Sequence, residues 1–494
     1  MAVLSLLYVK YATLLKQINL NTTLWRCPMS LNYNKKTNLF EEEFYHYELQ
    51  DVKEPQLYRD MFPYDEVPRI IFNQRIVPMN VAEHIWITDT TFRDGQQSLP
   101  PFKVEHIVKL FDLMHKLDGG TGLIRQTEFF LYTKRDREAL EKCLSRGYDY
   151  PQVTGWIRAV ESDFKLVKEM GLKETGILTS VSDYHIFLKL KWTRKQALEN
   201  YLKIVRAALD NGIIPRCHFE DITRADIYGF VIPFARELMK LSKEYNMPVK
   251  IRACDTMGYG ISIAGSALPR NTHGIMYGLN KHAEVPSEWL EWHGHNDFYR
   301  GLTNASHAWL YGGSVANGAW LGIGERTGNT PIEALIMEYL SFRGRQGVEK
   351  MDTTVITEIA DYMHHEMNIE IATNRPFVGK NFNLTKAGIH ADGISKSEEI
   401  YNIFDTDKIL NRPPMVSITD KSGTAGIAYW INNYFKVALA DKVSKDTASV
   451  LLIKTAVDKA YEGERTIGIS DQEMIDLTQL HLPDLYSKYS KNVE

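Results

Sequence analysis

Two imidazoles stand two residues apart in the run Trp292-His-Gly-His-Asn-Asp297. On a strand, residues two apart share a face, so His293 and His295 can reach one metal ion. The pair alone is weak evidence, because His-x-His is as readily a surface or core coincidence. Asp94, in Asp89-Thr-Thr-Phe-Arg-Asp-Gly-Gln-Gln97, adds a carboxylate, and Asn329 can add an amide oxygen. Two histidines, a carboxylate and open positions suit a divalent ion that polarises a carbonyl as a Lewis acid. These donors fit Mn, Mg, Co or Zn alike. Arg93, beside Asp94, places a permanent cation where an enolate or carbonyl oxygen gathers charge; a salt bridge within the fold is the plain alternative. Glu220 lies among Arg216, His218, Asp221 and Arg224 directly after an apolar stretch. Such charge is costly unless paired or used, and an ion-pair network is the competing reading.

The elements that must position these residues follow from periodicity. From about Val81 to Gly347, short apolar or β-branched runs alternate with longer amphipathic stretches, the pattern of a parallel sheet wrapped by helices. Eight strands are expected, near His84-Thr88, Leu123-Thr127, Gln152-Trp156, Gly176-Ser180, Ile214-Phe219, Val249-Cys254, Trp289-His293 and Gly313-Asn317. Helices are expected over Val104-Leu117, Thr193-Asn211, Ile227-Tyr245 and Thr330-Phe342. Eight such repeats close as a (β/α)8 TIM barrel, an α/β fold whose chemistry sits at the C-terminal strand ends. Arg93-Asp94, Glu128, Ser182-Asp183-His185, Glu220-Asp221, Asp255-Thr256, His293-His295 and Glu325 all fall there. The expected domains are an N-terminal extension and arm over 1–80, the catalytic barrel over 81–347, and a mainly helical C-terminal subdomain over 348–494.

Composition narrows the function class. With 494 residues, 44% hydrophobic and 24% charged, the chain can bury a large core. A net charge of -4 gives no basic excess for nucleic acid. No stretch is apolar enough for a membrane span, and Val3 to Val9 is too short and lacks the basic flank of a signal peptide. Cys27, Cys143, Cys217 and Cys254 form no Cys-x-x-Cys pair, which fits a reducing cytoplasm. Met29 opens a polar stretch and is read as the physiological start; an intact mass beginning at Met1 would contradict that.

The motifs together resemble a family. Asp89 to Gln97 is similar to the DxTLRDGxQ signature of the metal-dependent superfamily containing isopropylmalate, homocitrate and Re-citrate synthases. In order follow Phe219-Glu-Asp221 with Arg224, Cys254-Asp-Thr-Met-Gly258, His293-Gly-His-Asn-Asp297, Gly322-Ile-Gly-Glu-Arg-Thr-Gly-Asn329 and Ala387-Gly-Ile-His-Ala-Asp392. The resemblance covers about residues 80 to 425. It implies that Asp94, His293 and His295 ligate the metal with Asn329 as an additional ligand, Mn or Co being favoured. It implies that Arg93 stabilises the enolate oxygen, and that Gln97, His185, Arg216 and Thr256 hold a 2-oxo acid. His390 and Tyr401, eleven residues apart, match a pair linked to proton transfer at acetyl-CoA, acting with Glu220. The resemblance further implies a homodimer in which the C-terminal subdomain is exchanged, and a Claisen-type condensation of acetyl-CoA with the 2-oxo acid.

The stretch from Gly379-Lys-Asn-Phe-Asn to Tyr401-Asn-Ile-Phe-Asp405, the aromatic N-terminal arm and the long loop before His293 look most like the Re-citrate synthase branch, whose acceptor is oxaloacetate. A dicarboxylic acid needs a second cation in the pocket; Arg125, Arg216 and Arg252 are candidates. The alternatives are 2-oxoisovalerate and 2-oxoglutarate as acceptors, a carbon-carbon lyase on the same barrel, and a non-catalytic binding module. Phe92, Gln96 and the missing Pro after Gly258 depart from the family pattern. The stretch beyond Tyr401 is too short for a leucine-sensing domain, so leucine inhibition is not expected.

Overall fold

Eight parallel strands close on themselves in a computed structural model of the chain. They are β1 (Trp86–Asp89), β2 (Ile124–Phe130), β3 (Gln152–Ile157), β4 (Glu174–Ser180), β5 (Ile214–Glu220), β6 (Lys250–Asp255), β7 (Leu290–Gly294) and β8 (Val315–Gly318). Each pairs with the next, and β8 returns to β1 with Val315 opposite Trp86 and Asn317 opposite Thr88. All eight lie within a few residues of their expected places, and the TIM barrel with a helical C-terminal region stands as read.

The structure describes residues 31–34, 39–42, 46–386 and 388–492. Two compact units are Met1–Tyr47 and Glu48–Glu494. In the first, Leu31–Asn34 and Leu39–Glu42 form an antiparallel hairpin. The reading at Met29 and the residue Cys27 lie outside the described residues. No helix among the described residues is long and apolar enough to cross a membrane.

Helices α1 (Val104–Asp118), α2 (Lys134–Leu144), α3 (Phe164–Glu169), α4 (Arg194–Asp210), α5 (Ile232–Tyr245), α6 (Thr272–Tyr277), α7 (Gly301–Leu310) and α8 (Ile332–Arg343) follow the strands. Local chemistry fixes their ends. Thr193 and Gln196 form a reciprocal capping box that starts α4. Left-handed Asn246 stops α5. On β5 the alternation is readable: Phe219 stacks outward on Phe234 of α5 at 5.0 Å, while Arg216, His218 and Glu220 take the other face.

That inner face is unusual. Barrel interiors are filled mainly by branched apolar residues, whereas Glu128, Arg216, His218, Arg252 and Glu291 are all buried here. Arg252 donates to Glu128 at 2.9 Å and to Glu291 at 2.8 Å. Pairing offsets the desolvation of each charge, and removing one partner would cost about 3–5 kcal/mol.

Beyond the barrel, α9 (Val355–His365) lies against α1, and α10 (Gly388–Lys396), α11 (Thr406–Leu410), α12 (Thr424–Tyr434), α13 (Ala448–Ala460), α14 (Asp471–His481) and α15 (Pro483–Tyr489) follow. Ile418, Ile427, Ile431, Ile453, Val457 and Met474 give this region a hydrophobic core of its own.

Candidate active site

β1 ends in a π-type turn over Thr91–Gly95, capped by the Thr90 hydroxyl, and this turn carries Arg93 and Asp94 at the barrel mouth. β7 delivers His293, and His295 follows one residue past its end. Asn329 follows β8 and bridges to His295. Asp94 Oδ2 lies 3.7 Å from His293 Nε2, 3.8 Å from His295 Nε2 and 3.2 Å from Arg93 Nη1. The three candidate ligands are buried with their donor atoms within 4.8 Å of one another.

The residues fit a divalent ion. The Asn329 amide donates to Asp94 Oδ1 at 3.0 Å and to the Ile323 carbonyl, while its own oxygen is buried without a partner. An unpaired buried acceptor is costly, and beside a carboxylate and two imidazoles it completes a nitrogen and oxygen donor set for a divalent metal. Protonation states agree with this. Burial pushes His293 down to about 3 and lowers His295, so both imidazoles are neutral. Burial alone would raise the Asp94 carboxyl, but Arg93, His293, His295 and the Asn329 amide hold it below the usual carboxylate range. Neutral imidazoles and an ionised carboxylate are the ligating forms.

Gly324 explains why this loop can close on Asp94. It has φ +152°, and a Cβ there would come 2.2 Å from Asn329 Nδ2. No side chain fits that space.

Sequence reasoning missed the residue that aims His293. Asn317 on β8 accepts from His293 Nδ1 at 2.7 Å and donates to the Thr88 hydroxyl at 2.9 Å, which leaves Nε2 facing Asp94. Such partners fix tautomer and ring angle. Asn317→Leu is therefore expected to weaken divalent-ion affinity about 10–100-fold, read by competition with a chelating indicator; unchanged affinity would show that Asn317 does not orient the ligand. Glu128, expected among the polar residues at the strand ends, lies inside β2. It accepts from Arg93 Nε at 2.9 Å and so holds the guanidinium at the mouth.

A second group lies at the ends of β4 to β6. Glu220 accepts from the Ser180 hydroxyl, stands 3.1 Å from His185 Nδ1 and lies 3.7 Å from Lys189 Nζ. Burial opposes its ionisation, but His185, Ser180 and Lys189 prevail and push Glu220 down to about 2. The Thr256 hydroxyl accepts the Asp221 N–H at 2.8 Å and keeps its own proton for another acceptor. Arg326 links the two groups, donating to the Thr256 carbonyl at 2.6 Å and to Asp297 at 2.9 Å.

The expectations for three arginines change. Arg216 does not face the mouth: it lies four residues before Glu220, roughly 13 Å lower along the strand, and its guanidinium is engaged by Glu174 and Gln126. Arg252 is spent on Glu128 and Glu291, and Arg125 lies at the opposite end of the barrel against Trp86. Gln97 is exposed and makes no side-chain hydrogen bond among the described residues. The structure does bring His390 and Tyr401 together, with ring centroids 4.3 Å apart. Both are exposed, as are Ile389, Ile400 and Ile403 around them.

Similarity to known proteins agrees with this geometry. The HMGL-like family model matches residues 84–363. Citrate (Re)-synthase of Clostridium kluyveri is 55% identical over 444 residues, 90% of this chain and 98% of that protein. Citrate (Re)-synthase of Syntrophus aciditrophicus is 57% identical over 443 residues, 90% of this chain and 70% of that protein. The 2-phosphinomethylmalate synthase of Streptomyces hygroscopicus is 32% identical over 431 residues, 86% of this chain and 96% of that protein. With the matched domain forming a barrel that gathers Asp94, His293 and His295 at its mouth, the chain belongs to the HMGL-like family and, within it, to the group of the citrate (Re)-synthases.

Proposed function

We propose that this protein condenses acetyl-CoA with oxaloacetate to give citrate and CoA. The observation that carries this reading is the 55% identity to a citrate (Re)-synthase over 98% of that protein's length, joined to a mouth whose donors suit a divalent ion. Manganese or cobalt is the proposed ion. The three buried free thiols, Cys143, Cys217 and Cys254, support a cytoplasmic setting.

Asp94, His293, His295 and Asn329 would hold the ion, which when bound would supply Lewis-acid polarisation of the 2-oxo acid. The chain's own residues do the rest. Arg93, fixed by Glu128, faces the oxygen on which charge develops. The Thr256 hydroxyl and His185 orient the acid, and Lys189 and Arg326 stand beside them as cations for the second carboxylate. Glu220, pushed down to about 2, binds a proton too weakly to be the base and serves as a charge partner. We assign proton removal from the acetyl methyl group to His390, with Tyr401 against its ring. The resulting enolate carbon attacks the carbonyl carbon of oxaloacetate, the carbonyl oxygen takes a proton, and water hydrolyses the thioester to release CoA.

The His390 and Tyr401 pair is exposed on its own subunit and rimmed by exposed Ile389, Ile400 and Ile403. That surface supports a homodimer in which the 348–494 subdomain of one copy covers the barrel mouth of the other. Gly393 matters to the pair: a Cβ there would come 2.5 Å from the Tyr401 ring. Gly393→Ala is expected to turn that ring away and lower kcat about 10²-fold with bound metal retained; unchanged kcat would remove Tyr401 from the proposal.

The substrate is tested by thiol release from acetyl-CoA with oxaloacetate, 2-oxoisovalerate and 2-oxoglutarate in parallel. Turnover with oxaloacetate and formation of citrate are expected. Inert oxaloacetate beside an active 2-oxoisovalerate or 2-oxoglutarate would move the protein to the isopropylmalate or homocitrate reading.

A further inference from the structure

Barrel enzymes work at the C-terminal strand ends, and the opposite end normally serves stability. Here that floor holds a cavity of about 230 Å³ lined by Trp86, Arg125, Gln152, Arg216, Lys250 and Glu288, among others. Two features separate it from a packed base.

The first is Arg125. Its guanidinium lies 4.3 Å from the Trp86 ring and 5.4 Å from the Tyr150 ring, and Nε donates to the Gly122 carbonyl at 3.1 Å. Both terminal amino groups lack a protein partner among the described residues. A guanidinium clamped by two rings with its fork unused is already arranged for a ligand. The second is Arg216, 2% exposed, whose Nη1 is buried without a hydrogen-bond partner and lies 3.7 Å from Glu128. Its guanidinium lines the cavity and adds positive potential there.

Charge limits what fits. Lys250, at 2.6 Å, and Arg216 share the Glu174 carboxylate, and Glu291 is paired with Arg252 at 2.8 Å. Among the described lining residues, Arg125 is the cation without a carboxylate partner, while exposed Glu288 disfavours multiply charged anions. The volume is below that of pockets for drug-sized ligands, and the planar fork matches a carboxylate. We infer that the barrel floor is a second ligand site that takes a small, singly charged carboxylate, carried by a simple acid or by an amino acid. Through Arg216 and Glu128 it shares one charge network with Arg93 at the mouth.

Trp86 and Trp289 line the cavity, so tryptophan fluorescence reports its filling. Titration of the full-length protein with propionate and, separately, alanine should give a saturable change with at least one, which also identifies the source. Arg125→Gln should weaken that binding at least about 10-fold. Arg125→Lys, which keeps the charge but not the fork, should weaken it less and carries the test if the glutamine variant fails to fold. The mouth is unaltered in both variants, so a carboxylate bound there would titrate alike in all three proteins. Absence of a saturable change with either compound, or identical titration of wild type and the folded variants, would overturn the inference.

Discussion

His293→Ala is expected to lower kcat/KM at least about 10³-fold and to release the bound divalent ion. Both losses come from one atom. His293 Nε2 faces Asp94 Oδ2 at 3.7 Å only because its other nitrogen is tied to Asn317. Without the ring, one imidazole, one carboxylate and one amide remain, and the ligand set loses much of its affinity. Arg93 stays held by Glu128, so loss of the cation at the mouth would not account for the effect. Metal content measured on the purified variant, with circular dichroism to confirm folding, separates these causes. A variant that keeps both its metal and its activity would remove His293 from the ligand set.

The second large effect is expected at the other half of the site. His390→Ala should lower kcat by about 10²–10⁴-fold, the range for a positioned acid or base, with metal content unchanged. His390 makes no contact with the metal ligands in its own chain that would explain an indirect loss; its ring partner is Tyr401. Retained metal with lost turnover distinguishes proton transfer from ligation. Full activity in the folded variant would instead favour a carbon-carbon lyase, which needs no such pair.

Much of the fold was readable because strands of a closed parallel barrel are short, β-branched and bounded by polar turns. Thr193 and Asn211, the expected bounds of one helix, are the caps of α4. The metal triad was readable because His-x-His on a strand puts both rings on one face and Asp94 adds a carboxylate at the mouth of the first strand. Depth was not readable. Alternation correctly assigns Arg216 to the inner face, as it does Glu220, but a period of two carries no information on which end of the strand a residue serves. Counting inward positions back from Glu220 would have moved Arg216 to the floor. Asn317 was missed for a different reason: its role depends on the register that sets it opposite His293, and a single asparagine has no spacing signal. The π-type turns at Thr91–Gly95 and Tyr184–Lys189 were equally silent, since one wide turn leaves no periodicity.

The proposed site has two halves, metal ligands from one barrel and His390 from a second copy. Refolding or co-expressing Asp94→Ala with His390→Ala separates the two halves, since each variant alone is expected to lose nearly all activity. In a mixed dimer with exchanged subdomains, one barrel keeps its metal ligands and receives an intact His390. Random pairing should then restore roughly a quarter of wild-type activity. If the mixture, shown to contain the mixed dimer, stays as inactive as its parents, His390 does not serve the partner's barrel and the two-copy site is wrong.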